Sequence, residues 1–177
     1  MNTTKDAEFR DFMTSRWPHL LRTAFLLTGG HHHDAEDLAQ STLARVYAKW
    51  ERVRRTENID GYVRQIMVNV HTDRHRRRRV REWITARVPD VAAADRTVRL
   101  ADRDVLLTAL ARLPARQRAA VVLSYFEDMS QAEVAAALGV GLGTVKSQVS
   151  RGLAKLRQDG ALNDFRGTDA SAKEEVR

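Results

Sequence analysis

The residues best equipped for chemistry lie between Ser130 and Arg157. Val145, Val149, Leu153 and Leu156 recur at helical spacing and form an inward stripe. Thr144, Lys146, Ser147, Gln148, Ser150, Arg151 and Lys155 fall on the opposite face, and no Asp or Glu occurs from Thr144 to Leu156. Short hydroxyl donors and cations on one face can reach base edges and phosphates in a DNA major groove. Just upstream, Ser130 with Glu133 three residues on is a capping box. The helix Gln131–Leu138 that it opens buries Val134, Ala135 and Leu138, and stops at Gly139, where a left-handed residue costs least. Val140-Gly141-Leu142-Gly143 makes the tight turn and Thr144 opens the second helix. The pair reads as a helix-turn-helix with a recognition helix; an ordinary helical hairpin is the alternative.

A second cationic stretch precedes it. Tyr62, Val63, Ile66, Met67 and Val70 form the buried stripe of a helix that Asp60 can cap. Its continuation is nearly all basic: Arg74, His75, Arg76, Arg77, Arg78, Arg79 and Arg81. The whole chain carries 30 basic and 23 acidic residues, net +7. Residues 51–87 hold 11 basic and 5 acidic groups, net +6, and residues 112–160 hold 7 and 4, net +3. Two separate positive segments suit a polyanion binder with two contact surfaces. A single solvated helix face is the plainer reading of either run alone.

Other chemistry finds little support. The chain has no Cys, which excludes disulfides, thiolate metal sites and cysteine nucleophiles. His31-His32-His33-Asp34 lies in a loop after Gly29-Gly30, without fixed ligand geometry. His71 and His75 share a helix face at i,i+4, but position 72 is Thr and no third ligand is evident, so packing beside the Arg run is the better reading. Neither group is read as a metal site, and no cofactor is expected. There is no phosphate-cradling Gly-rich loop and no GxSxG elbow, so the sequence points away from an enzyme. No run of about 18 apolar residues could span a membrane, and the polar start of the chain is not a secretory signal. A cytoplasmic protein without membrane insertion is the expectation.

The elements that must position these faces read as all-α. Phe9, Phe12, Met13, Trp17, Leu20, Leu21, Ala24, Phe25 and Leu27 recur at helical spacing until Gly29-Gly30. Asp34 precedes a second run with Leu38, Thr42, Leu43, Val46, Tyr47 and Trp50 on one face. Between Trp83 and Arg103 the periodicity weakens around Pro89 and Ala92-Ala93-Ala94. Beyond it Val105, Leu106, Ala109, Leu110 and Leu113 resume a stripe that Pro114 interrupts, and Ala119, Val122, Leu123 and Phe126 form another before the break at Glu127-Asp128-Met129. The expectation is two small helical domains, 1–82 and 104–160, joined by a flexible linker, 83–103, and followed by a polar, disordered tail, 161–177.

Three strings carry a resemblance: DAEDLAQSTLARVYAKW (Asp34–Trp50), DGYVRQIMVNVHTDRHRRRR (Asp60–Arg79) and SQAEVAAALGVGLGTVKSQVSRGLAKLR (Ser130–Arg157). In this order and separation, with Leu113–Arg118 before the last, they resemble the bacterial alternative sigma factors of the extracytoplasmic-function (ECF) group. These are two-domain initiation subunits of RNA polymerase, and the resemblance covers roughly residues 5–158. It implies a sigma region 2 helical bundle followed by a sigma region 4 helix-turn-helix. The implied function is to bind core RNA polymerase and direct promoter-specific initiation through −10 and −35 elements.

The resemblance also assigns roles. Asp37-Leu38-Ala39-Gln40 matches the motif that docks on the β′ coiled coil of core RNA polymerase, with Asp34, Asp37 and Gln40 as outward acceptors. Carboxylates favouring a helix N-terminus would account for Asp34 without any partner. Tyr62–Arg81 resembles the segment that melts the −10 element, with Asn69 the best candidate near the bases and Arg64, Arg74, Arg77 and Arg78 as strand or phosphate contacts. Lys146, Ser147, Ser150 and Arg151 match the −35 reading positions, with Thr144 placed for a phosphate; Gly141 stands where Ser is frequent. The implied partners are the polymerase β′ and β subunits and promoter DNA. An anti-sigma factor is an expectation of the resemblance alone. Residues Trp83–Arg103 extend at most ~70 Å, roughly 20 base pairs of ~3.4 Å rise, so two modules could reach two separated elements. The rival readings are a dimeric helix-turn-helix regulator that needs no polymerase and a basic RNA-binding or structural helical protein.

Overall fold

The computed structural model describes the backbone of residues 3–85 and 101–159, and the side chains of 4–77 and 105–159. The expected linker core, 86–100, and the tail from 160 onward lie outside the described residues. Eight helices are described: α1 (Thr3–Thr28), α2 (His32–Ala48), α3 (Trp50–Val53), α4 (Ile59–Thr85), α5 (Ala101–Arg112), α6 (Ala115–Tyr125), α7 (Gln131–Leu138) and α8 (Leu142–Gln158). No strand occurs among the described residues, in keeping with the all-α expectation.

Local chemistry sets most boundaries. α1 stops where Gly29 and Gly30 take φ of 75° and 87°, values that cost glycine little and other residues much. Gly29 has a second reason to be glycine. A Cβ there would lie 2.8 Å from the Arg118 guanidinium, which packs over this turn. α4 is capped by Asn58, whose Oδ1 accepts from the Gly61 N–H at 2.7 Å. Asp60, the expected cap, instead lies inside the first turn and pairs with Arg16 of α1 at 2.9 Å. Pro114 separates α5 from α6, as its missing N–H and fixed φ lead one to expect.

Two corrections concern loops. His32 and His33 belong to the first turn of α2 rather than to a loop, with His31 at the N-cap position. α8 begins at Leu142 rather than Thr144, so half of the expected Val140–Gly143 turn is already helix.

Packing follows the apolar stripes. α1, α2 and α4 close on Leu20, Ala24, Leu27, Leu38, Val46 and Met67, all buried. Phe9, Phe12, Tyr47 and Trp50 cluster at the start of α1, with ring centroids 4.9–5.2 Å apart in the contacts of Phe9 with Tyr47 and Trp50 and of Phe12 with Trp50. In the second half α6 and α8 cross closely, because a Cβ on Gly152 would come within 2.7 Å of Val121. α7 faces inward with Val134 and Ala137; Ala135 and Leu138, expected to be buried, are half-buried.

The two halves are packed together. Ala109, Leu110, Leu113, Val121, Val122 and Leu156 share one apolar cluster with the buried residues of α1, α2 and α4. Val68 of α4, absent from the predicted stripe, is buried among Ala120, Leu123, Val134 and Ala137 of the other half. Arg118 of α6 donates from Nε to the Leu27 carbonyl of α1 at 2.9 Å, and from Nη1 to the carbonyls of Ala111 at 3.1 Å and Leu113 at 3.3 Å. One guanidinium thus satisfies orphan carbonyls at the ends of two helices, where cations are also favoured by the helix dipole. Burial pulls its pKa down from the ordinary arginine value.

Candidate nucleic-acid interface

The helix-turn-helix is built as its local chemistry dictates. Ser130 Oγ accepts from the Glu133 N–H at 3.3 Å, and Glu133 Oε2 accepts from the Ser130 N–H at 2.8 Å. Hydrogen bonding of the Glu133 carboxyl to Ser130, by the side chain first and the backbone N–H second, holds that carboxyl below its usual range. α7 closes at Gly139, φ 64°, and Gly141 takes the N-cap of α8 without a side-chain bond. α8 buries Val145, Val149, Gly152 and Leu156. Opposite them Thr144, Lys146, Ser150 and Arg151 are exposed, and Ser147 is half-buried with its hydroxyl donating to the Thr144 carbonyl at 2.9 Å. All five candidate −35 residues therefore share one helix face.

The candidate −10 residues are not one surface. Asn69 is exposed and its Oδ1 accepts from Gln65 Nε2 at 3.3 Å. Arg77 is exposed on the same helix, while the Arg78 side chain lies outside the described residues. Arg64 is turned toward the second half, where Nη1 donates to the Glu127 backbone carbonyl at 2.8 Å and lies 3.8 Å from Glu127 Oε2. Its Nε is buried without a partner among the described atoms. Arg74 is turned toward α2, where Nη2 donates to Ser41 Oγ at 2.8 Å and to the Asp37 carbonyl at 3.1 Å. Two of the expected strand cations thus join helices in this arrangement.

The candidate docking residues occupy one stretch of α2. Gln40 is exposed and Asp34 and Asp37 are half-buried. The Asp37 carboxylate reaches Arg74 at 4.0 Å. A cleft beside them is lined by Asp34, Asp37, His71, Arg74, His75 and Arg118. No group of three or more His, Asp or Glu side chains with metal-binding geometry occurs among the described residues.

Sequence reasoning missed the residues of the seam. Glu127, read as part of a helix break, is a buried carboxylate that accepts from Thr23 Oγ1 and stands 3.3 Å from His19 Nε2. Gln65 Nε2 also donates weakly to the Ala137 carbonyl at 3.4 Å. No local signal announces these partners, because they lie 63 to 108 positions away in the chain.

Comparison with known proteins agrees with this architecture. The Sigma-70 region 2 family matches residues 13–81, and the Sigma-70 region 4 family matches residues 103–156. The chain is 40% identical over 167 residues to the RNA polymerase sigma-E factor of Streptomyces coelicolor, covering 94% of this chain and 92% of that protein. It is 37% identical to the ECF RNA polymerase sigma factor SigM of Mycobacterium tuberculosis, over 77% of this chain and 70% of that one. A solved structure of the sigma factor RpoE from Bartonella quintana, in complex with the anti-sigma factor NepR, superimposes with a TM-score of 0.64. It is 29% identical and covers 86% of this chain and 96% of that one. Among the described residues no helix is long and apolar enough to cross a membrane. Matched in order along both halves, the chain belongs to the ECF group of RNA polymerase sigma factors, alternative sigma factors that direct transcription initiation.

Proposed function

We propose that this sigma factor uses α2 to dock on the β′ coiled coil of core RNA polymerase, α4 to open the −10 element and α8 to read the −35 element. It acts in the cytoplasm and without catalysis. Opening DNA costs about 1.4 kcal/mol of stacking per base step, and binding energy alone must recover it. Asn69 and the cations Arg77 and Arg78 would hold the separated strand, and Arg64 and Arg74 would join them once released from Glu127 and Ser41. Thr144, Lys146, Ser147, Ser150 and Arg151 would contact the −35 duplex, while Asp34, Asp37 and Gln40 offer acceptors to a basic polymerase surface. The observation that carries this reading is the α8 face, which sets cations and hydroxyls opposite a buried apolar stripe.

The packed seam fits a resting form. With Arg64 held by Glu127 and Val68 buried beneath α7, part of the α4 surface is covered by the helix-turn-helix half. The seam must part before the two modules can span two promoter elements. The Bartonella quintana relative is bound to an anti-sigma factor; a partner of that kind is proposed here too.

Run-off transcription with purified core polymerase tests the reading. The chain should confer start-site selection that core enzyme lacks, and the pair Lys146→Glu/Arg151→Glu should abolish nearly all of it. A conventional regulator would instead shift specific duplex DNA without polymerase.

A further inference from the structure

The first residue of α8 is an exposed leucine at the edge of the recognition face. Leu142 is 46% exposed, one of four large apolar side chains left open among the described residues. It lies one turn before Lys146, between that side chain and the buried stripe of Val145 and Val149. A lone exposed leucine is ordinary in general. This one stands in the first turn of the helix proposed to read bases, where recognition helices place their base contacts.

The glycines beside it sharpen the point. Gly139 needs its positive φ, and Gly152 sits under Val121, so the fold explains both. Gly141 and Gly143 have no such reason. A Cβ on either would meet nothing within 4 Å, and neither lies at positive φ. Gly143 is inside the first turn of the helix, where glycine is less favourable than alanine. What both glycines do is strip the surface around Leu142 to bare backbone, so that a broad partner can come into contact with the leucine.

The major groove offers one apolar group that such a side chain can read, the 5-methyl of thymine. We propose that Leu142 is a specificity-determining residue that packs on a thymine methyl in the −35 duplex, with Gly141 and Gly143 permitting the close approach. This rests on the −35 reading of α8 given above.

The test uses the full chain with core polymerase on a promoter mapped by run-off transcription. Each thymine of the −35 element, on either strand, is replaced in turn by deoxyuridine, which removes the methyl and leaves every hydrogen-bonding group. One such replacement should weaken wild-type open-complex formation roughly fourfold, the weight of one buried methyl. Leu142→Ala should lose about the same on the thymine promoter and then be indifferent to that replacement. Gly143→Ala, which favours the helix, should also blunt the methyl dependence. The proposal is overturned if no replacement affects the wild type, or if Leu142→Ala stays as sensitive as the wild type. It is also overturned if Leu142→Ala weakens binding to core polymerase, which would mark Leu142 as a protein contact. Arg151→Glu separates the two levels: if it leaves −35 dependence intact, the reading of α8 itself fails.

Discussion

Arg64 on α4 donates a 2.8 Å hydrogen bond to the backbone carbonyl of Glu127, in the turn between α6 and α7. The Glu127 carboxylate is buried beneath it and accepts from Thr23 on α1. Three segments from both halves of the chain therefore meet on one acidic residue. Removing a buried acceptor leaves its donors desolvated and unmatched. Glu127→Ala should destabilise the protein by about 1–3 kcal/mol in urea unfolding. Glu127→Gln keeps an acceptor for Thr23 and should lose less. Equal losses for the two would show that the charge beside Arg64 and His19 governs the seam.

Arg118 should be more sensitive still. Its guanidinium holds carbonyls of α1 and of the α5 end together. Arg118→Ala should cost about 2–4 kcal/mol, since several charge-assisted bonds go at once. Arg118→Lys should restore little, because a point ammonium cannot serve diverging acceptors as a planar fork does. Thermal unfolding of the three proteins side by side decides it.

Arg74 and Arg77 should separate in kind. Arg77 is exposed, so Arg77→Ala should lower the salt slope of promoter binding by about one counterion. Arg74 is held by Ser41 and the Asp37 carbonyl on α2. Arg74→Ala should lower that slope by a similar amount and, unlike Arg77→Ala, also weaken association with core polymerase. Titrations of core enzyme and of DNA at several salt concentrations read both quantities.

The capping box sets a pH dependence. The folded-state pKa of Glu133 is lowered by its bonds to Ser130, so its contribution is present above the unfolded glutamate pKa and fades as pH falls through the folded one. Glu133→Ala should therefore be less stable than wild type at neutral pH. That gap should close in acid, below the ordinary carboxylate range. A gap that stays constant down to acid pH would contradict the linkage.

Local chemistry was the most legible part of this fold. Ser130, Glu133 and Gly139 specify α7 within one turn of themselves, and its observed bounds agree with the expected Gln131–Leu138. The start of α8 was harder, because a glycine N-cap carries no side-chain signal. Asn58 and Asp60 are both good capping residues two positions apart, and only the geometry selects Asn58. Val68 and Ala137 escaped because their burial comes from a contact between helices far apart in sequence. The candidate site divides in the same way. The α8 face follows from helical period alone, whereas the engagements of Arg64 and Arg74 depend on partners 63 and 33 positions away.

Val68 gives the molecule a further property. A side chain rooted in α4 completes the apolar centre formed by α6, α7 and α8. Heating should consequently melt the free protein in one calorimetric peak, with substitutions in either half moving the same midpoint. Val68→Ala would leave a void on the far side of the junction and begin to split that peak in two.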